Sequence, residues 1–160
     1  MFSLPSRWSR SASFLIPVGG LLLGATSLLT AQTLPPAPGA APHCVPDPHT
    51  LCMDQQRFAV TAAFQLTPSG PSSDANAVSL TDQTGYFWFF DATNVEVVVK
   101  VLNACGPPYN AYWVFASGLT NVGVTILVKD LATNMVQTYS NDVGTPFPPI
   151  QDTSAFQTCF

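Results

Sequence analysis

Two histidines and two cysteines, His43, Cys44, His49 and Cys52, fall within a single stretch of ten residues. Imidazole and thiolate are zinc ligands, so this cluster is the first candidate for metal chemistry. Its spacing fits no zinc finger or knuckle, and thiols in an exported chain pair by oxidation. With Cys105 and Cys159 the chain holds four cysteines, which favours two disulfides among three possible pairings. Cys44 and Cys52 enclose the turn-rich Val-Pro-Asp-Pro-His-Thr-Leu and are close enough to staple it, leaving Cys105 for Cys159. Loop closure assigns roughly 2.5 kcal/mol to the short bridge and roughly 4 kcal/mol to the long one.

Other reactive constellations are sparse. A serine or cysteine nucleophile needs a neighbouring base. His43 and His49 are the only histidines, both precede the first expected strand, and no Gly-x-Ser-x-Gly elbow exists. Asp82 and Asp91 flank an aromatic run and could form a glycosidase-type carboxylate pair. The favoured reading makes both turn residues, where Asp bonds the local backbone. Asp82, Asp91 and Asp130 with loop carbonyls could cage calcium, but no EF-hand loop supports it. The sequence therefore implies no catalytic residue, no metal and no cofactor.

The strongest lead is aromatic. Gly85-Tyr86-Phe87-Trp88-Phe89-Phe90-Asp91 holds five rings in succession. On a strand, neighbouring side chains go to opposite faces, so Tyr86, Trp88 and Phe90 share one face and Phe87 and Phe89 the other. Tyr86, Trp88, Tyr112 and Trp113 are candidate binding aromatics, able to stack on sugar rings or anchor a protein partner. The favoured alternative is a core built of large rings.

The elements that must position these rings read as strands. Residues 57–66 alternate, with Phe58, Val60, Ala62, Phe64 and Leu66 on one face. A Pro/Ser/Gly loop follows, then a short strand over 77–80 and the aromatic run. Val95, Val97, Val99 and Val101 face inward in the next strand, opposite Glu96 and Lys100. Residues 109–116 put Trp113 and Phe115 on one face, Tyr112 and Val114 on the other. Val122, Val124, Ile126 and Val128 form another inward row, a hairpin turns over 130–134, and 135–140 returns antiparallel. The tail beyond Asn141 contains Pro146, Pro148 and Pro149 and reads as mostly irregular, with Phe147, Ile150 and Phe156 available to the core. About seven strands without helical periodicity predict an all-β domain. It is an antiparallel β-sandwich, immunoglobulin-like in the broad sense and stapled by disulfides. A partly closed barrel is the alternative.

The ends and the charge set the compartment. Arg7 and Arg10 precede an uncharged apolar stretch, and Ala31 offers a cleavage site, which is the layout of a secretory signal peptide over 1–31. An uncleaved membrane anchor is the rival, and the only membrane association the chain suggests. Residues 32–43 form a stiff Pro/Ala-rich linker, and 44–160 the folded domain. Without the leader, three basic residues face nine acids, a net charge of −6. No basic patch can form, which excludes nucleic acid and anionic lipid surfaces as natural partners.

The string Leu80-Thr81-Asp82-x-Thr84-Gly85-Tyr86-Phe87-Trp88-Phe89-Phe90-Asp91, then Asn94-Val95-Glu96-Val97-Val98-Val99-Lys100-Val101-Leu102, then Trp113-Val114-Phe115 with Gly118-Leu119-Thr120-Asn121-Val122 resembles a recurrent bacterial exported domain. Members of that uncharacterised group stand alone behind a signal peptide or are appended to larger secreted proteins such as peptidases. The likeness spans about Leu51 to Cys159. Members often carry an acid where Gly123 stands, and an acidic, Gly-ended turn where Asp130 to Asn134 stands. The resemblance implies a β-sandwich accessory domain and carries over no functional residue. The expected protein is thus secreted or periplasmic and non-catalytic, a binding or structural module whose partner is an envelope protein or glycan. The alternatives are a protease inhibitor presenting the Pro-rich loops at 105–109 or 145–150, and thirdly a carbohydrate-binding domain or hydrolase.

Overall fold

The structure, a computed structural model, describes residues 42–159. The leader over 1–31 and the linker up to residue 41 lie outside the described residues. Within them the chain forms ten strands and no helix: β1 (Thr50–Met53), β2 (Phe58–Gln65), β3 (Ser73–Asp74), β4 (Asn76–Thr81), β5 (Thr84–Trp88), β6 (Val97–Ala104), β7 (Ala111–Gly118), β8 (Gly123–Asp130), β9 (Val136–Asn141) and β10 (Ile150–Phe156). All pairings are antiparallel. One sheet runs β1-β2-β8-β9, with β3 sharing the edge of β2 that β1 occupies; the other runs β10-β7-β6-β5-β4. This is the expected antiparallel sandwich.

Seven of these strands coincide with the alternating segments of the sequence, and three were not anticipated. β1 is a short run inside the Cys44–Cys52 staple, β3 has two residues, and β10 lies in the proline-rich tail. Their alternation is too short or too polar to register as a pattern. β10 also carries a register irregularity between Asp152 and Phe156, which breaks the two-residue rhythm. Phe147 and Phe156 nevertheless reach the core from the tail, as the sequence suggests.

The core is the meeting of two inward rows. Phe58, Val60 and Ala62 of β2 join Val124, Ile126 and Val128 of β8 from one sheet. Phe87, Val97, Val99, Val101, Val114 and Phe156 come from the other. Each fully buried aliphatic or aromatic side chain removed from water contributes about 1.5–3 kcal/mol. Close approach is enforced at two glycines. A Cβ on Gly85 would sit 2.7 Å from the Leu51 side chain and 2.9 Å from the Val78 carbonyl, and one on Gly118 would meet the Phe147 ring at 2.1 Å.

The sheets are also tied at both flanks. On one, the Ala77 amide donates to the Pro48 carbonyl (2.8 Å) and the Asp54 amide to the Asp82 carbonyl (2.7 Å). On the other, the Tyr139 hydroxyl donates to Asp152 (2.9 Å) and the Gln137 side-chain Nε2 to the Ala155 carbonyl (2.7 Å). Both disulfides form in the favoured pairing, with Cα–Cα distances of 5.5 Å for Cys44–Cys52 and 5.4 Å for Cys105–Cys159. Such bridges point to an oxidising environment.

Three positions depart from the alternation. Glu96 is buried rather than wet, and Val95 is only half-buried, because β6 begins at Val97. The chain before it is still turning. The Glu96 amide donates to the Phe87 carbonyl, its carbonyl accepts from Leu119, and Asn94 donates to its carboxylate. Leu66 is exposed because β2 ends at Gln65.

Candidate functional site

The sheet β10-β7-β6-β5-β4 turns an aromatic face outward. Alternation sends Phe87, Val99 and Val114 to the core and leaves Tyr86, Trp88, Val98, Lys100, Leu102, Trp113 and Phe115 on the opposite side, all half-buried. Register fixes their order across the sheet. Tyr86 neighbours Val98, which neighbours Ser117; Lys100 lies between Thr84 and Phe115; Leu102 adjoins Trp113. The rings thus run diagonally, with Tyr86 and Trp88 towards one end, Trp113 and Phe115 towards the other, and Lys100 between.

The Trp113 end is the more developed. The exposed Tyr109 ring stands edge-on to Trp113 at 4.8 Å, and Trp113 meets Phe115 at 6.1 Å. A shallow depression of about 230 Å³ lies beside Phe115, lined also by Val98, Lys100, Ser117, Ile150 and Gln151. The Trp113 indole N–H is buried with no hydrogen-bond partner, the one such side-chain atom among the described residues. A buried unpaired donor carries a desolvation cost of about 1–3 kcal/mol.

Tyr112 does not belong to this surface. One residue out of phase with Trp113, it points between the sheets and is buried, a correction to its place among the binding aromatics. Its hydroxyl accepts from Arg57 Nη1 at 2.7 Å, and the guanidinium lies 4.4 Å from its ring centroid. Burial pushes the Tyr112 hydroxyl up despite the nearby guanidinium. Arg57 also forks onto Asp130, with Nε–Oδ1 at 3.0 Å and Nη2–Oδ2 at 2.7 Å, and donates to the Thr158 carbonyl at 2.8 Å. Asp130 is wholly buried. Burial alone would raise its carboxyl, but hydrogen bonds from Arg57, Thr158 and the Ala132 amide prevail and hold it below the usual carboxylate range.

A cavity of about 410 Å³ opens beside this pair, its wall including His43, Asp54, Gln55, Arg57, Asn103 and Tyr112. The β1–β2 turn delivers its acidic wall. Asp54, Gln55 and Gln56 all take left-handed backbone, with φ of 49°, 54° and 67°. Non-glycine residues hold that region only when neighbours over-determine it. Asp82 does so here, accepting from the Asp54 amide through its carbonyl and from the Gln55 amide through its carboxylate. Burial, with the nearby Asp82 charge, raises the Asp54 carboxyl. The guanidinium at the back of the cavity is committed to Asp130 and to pinning the chain beside Cys159. In the sequence Arg57 is only one of three basic residues without the leader, at the head of the alternating run 57–66. The available signal was a rare cation at the start of one strand and an acid ending another.

The remaining candidates separate. Asp82 and Asp91 lie beyond opposite ends of β5 and form no pair. Asp91 accepts from the Thr93 amide (2.8 Å) and hydroxyl (2.7 Å), which lower its carboxyl, and so acts as a turn residue. Asp130 is occupied by Arg57, so no calcium cage joins it to them. Cys44 and Cys52 are bonded to each other, and His49 Nδ1 sits 2.9 Å from the Ala75 carbonyl, so the zinc set is not assembled. Among the described residues no group of three or more metal-ligating side chains comes together.

Fold and site together define a disulfide-stapled antiparallel β-sandwich with an aromatic outer face. Comparison with protein-family models, with curated proteins and with solved structures finds no match for this chain.

Proposed function

We propose that this protein is an exported, non-catalytic module, secreted or periplasmic, that binds an envelope protein through the outer face of the β10-β7-β6-β5-β4 sheet. The observation that carries the reading is the run of half-buried rings on that face, Tyr86, Trp88, Trp113 and Phe115, with the exposed Tyr109 ring edge-on to Trp113. Aromatic rings with a polar handle are enriched where one protein recognises another. Lys100 is the only charge among the outward residues of β5, β6 and β7. Such a face suits an apolar partner surface. Export is supported by the leader and by two disulfides.

The test is capture from envelope extracts of the native host with wild-type, Trp113→Ala and Trp88→Ala proteins, alongside a glycan array. A protein captured by wild type and lost with either variant is the expected result. Capture unaffected by both variants refutes the surface, and glycan binding without protein capture replaces the partner class.

A further inference from the structure

The cavity of about 410 Å³ beside Arg57 and Asp130 holds two groups whose hydrogen bonding the protein leaves open, the Tyr112 hydroxyl and the Asp54 carboxylate. The Tyr112 oxygen accepts from Arg57 Nη1 at 2.7 Å and from Asn103 Nδ2 at 3.4 Å. A phenol oxygen has two lone pairs and one proton. Both lone pairs are engaged, and among the described residues the proton goes to no acceptor. Tyr112 is only 5% exposed, so the cavity is where that proton finds a partner.

Asp54 has the opposite need. A carboxylate accepts at about four sites, and the Asn103 and Gln83 side chains occupy two of them. Asn103 is oriented by its own oxygen, which accepts from the Cys105 amide at 3.1 Å, so its nitrogen is turned to Tyr112 and Asp54. One amide reaching both groups sets an acceptor beside a donor. Both are fixed in place before any ligand arrives. Asp82 holds the turn that carries Asp54, and Arg57 holds the phenol. Pro42 and Ala132 add apolar wall to the same cavity.

Charge and hydrogen bonding together select the ligand. An anion meets Asp54 with the Asp82 charge close by, in a domain of net charge −6 without the leader, while Asp130 neutralises Arg57. An ammonium would pair with Asp54 but has no lone pair for the phenol proton. An apolar molecule would desolvate both groups and satisfy neither. A neutral hydroxyl donates to the carboxylate and accepts from the phenol. We propose that this cavity binds a pyranose sugar, with neighbouring hydroxyls on Asp54 and Tyr112 and the C–H face of the ring against Pro42 and Ala132. The volume falls within the range of about 300–1,000 Å³ usual for small-molecule sites. Tyr112 lies on the inward side of β7, so the site is separate from the outer aromatic face and independent of the protein-binding reading.

Amide NMR of the isotope-labelled, oxidised protein tests this, with glucose, galactose, mannose and N-acetylglucosamine each titrated to about 100 mM. At least one sugar should bind saturably and shift the amides of Asp54, Gln55 and Asn103. Asp54→Asn keeps an acceptor oxygen and tolerates the left-handed backbone at that position, but it loses the charged acceptor. It should weaken binding by about fivefold to tenfold. Tyr112→Phe removes the phenol proton and should weaken binding similarly; Asp54→Asn alone decides the matter if that variant folds poorly. Butylamine over the same range is the cationic comparison. The proposal is overturned if none of the four sugars moves those amides, or if Asp54→Asn binds as tightly as wild type. Sugar-induced shifts confined to Trp88 and Trp113 overturn it by placing the site on the outer face. Tighter binding of butylamine than of any sugar overturns it by assigning the cavity to cations.

Discussion

Replacing Arg57 by Met isolates the energetics of the polar end. The variant keeps most of the side-chain volume but removes a guanidinium that forks onto Asp130, lies 4.4 Å from the Tyr112 ring centroid and donates to Thr158. Asp130, with no solvent exposure, keeps the Thr158 and Thr133 hydroxyls and the Ala132 amide but no cation. An orphaned buried charge costs about 3–5 kcal/mol, a large share of the roughly 5–15 kcal/mol that holds a domain together. The acid dependence identifies the source. In wild type the Asp130 carboxyl is held below its ordinary range, so its contribution is complete above about pH 4 and is lost as pH falls through the folded-state value. Without the guanidinium, burial raises that carboxyl and penalises the ionised form. The deficit of Arg57→Met is then greatest near neutrality and narrows towards about pH 4, where protonation removes the buried charge. Urea unfolding followed by tryptophan fluorescence over a pH series measures this. Arg57→Met/Asp130→Leu should recover much of the loss, because an apolar pair leaves no orphan. A deficit below about 1 kcal/mol, or one independent of pH, would refute the reasoning.

Two further predictions concern the disulfides and one tie between the sheets. Cys105→Ser/Cys159→Ser opens a loop with a sequence separation of 54 and should cost about 4 kcal/mol, against about 2.5 kcal/mol for Cys44→Ser/Cys52→Ser, by urea midpoints under non-reducing conditions. Equal losses would show that denatured-state loop entropy does not set the ranking. Tyr139 is half-buried and donates to Asp152; burial and then that carboxylate raise its hydroxyl well above the ordinary tyrosine range. Its contribution is therefore present below about pH 10 and lost as alkali ionises the folded hydroxyl. Tyr139→Phe should cost about 1–2 kcal/mol at neutral pH and flatten the alkaline loss of stability; an unchanged alkaline limb would contradict this.

Legibility followed the length and purity of alternation. The valine strand and Val124-x-Ile126-x-Val128 declared their inward faces because a period of two over several residues has one solution against a core. The same rule puts Trp113 and Tyr112 on opposite faces, and the fold decides that the Tyr112 face is the one turned to the core. β1, β3 and β10 were illegible because two to four residues, or a strand with a register irregularity, carry no measurable period. Glu96 was misplaced because strand phase was extended through a turn that resets it.

The chain by itself pointed to antiparallel strands stacked as a sandwich, to most of the valines and phenylalanines that meet between the sheets, and to the favoured cysteine pairing. Each follows from neighbours in sequence or from the scarcity of thiols. Only the tertiary structure decided that Arg57 and Asp130 would neutralise each other from positions 73 residues apart. It alone left the indole of Trp113 without an acceptor and placed β9 at the edge of its sheet. Pairing between distant residues depends on sheet order, and sheet order is set by the packing of whole faces, which no local pattern encodes.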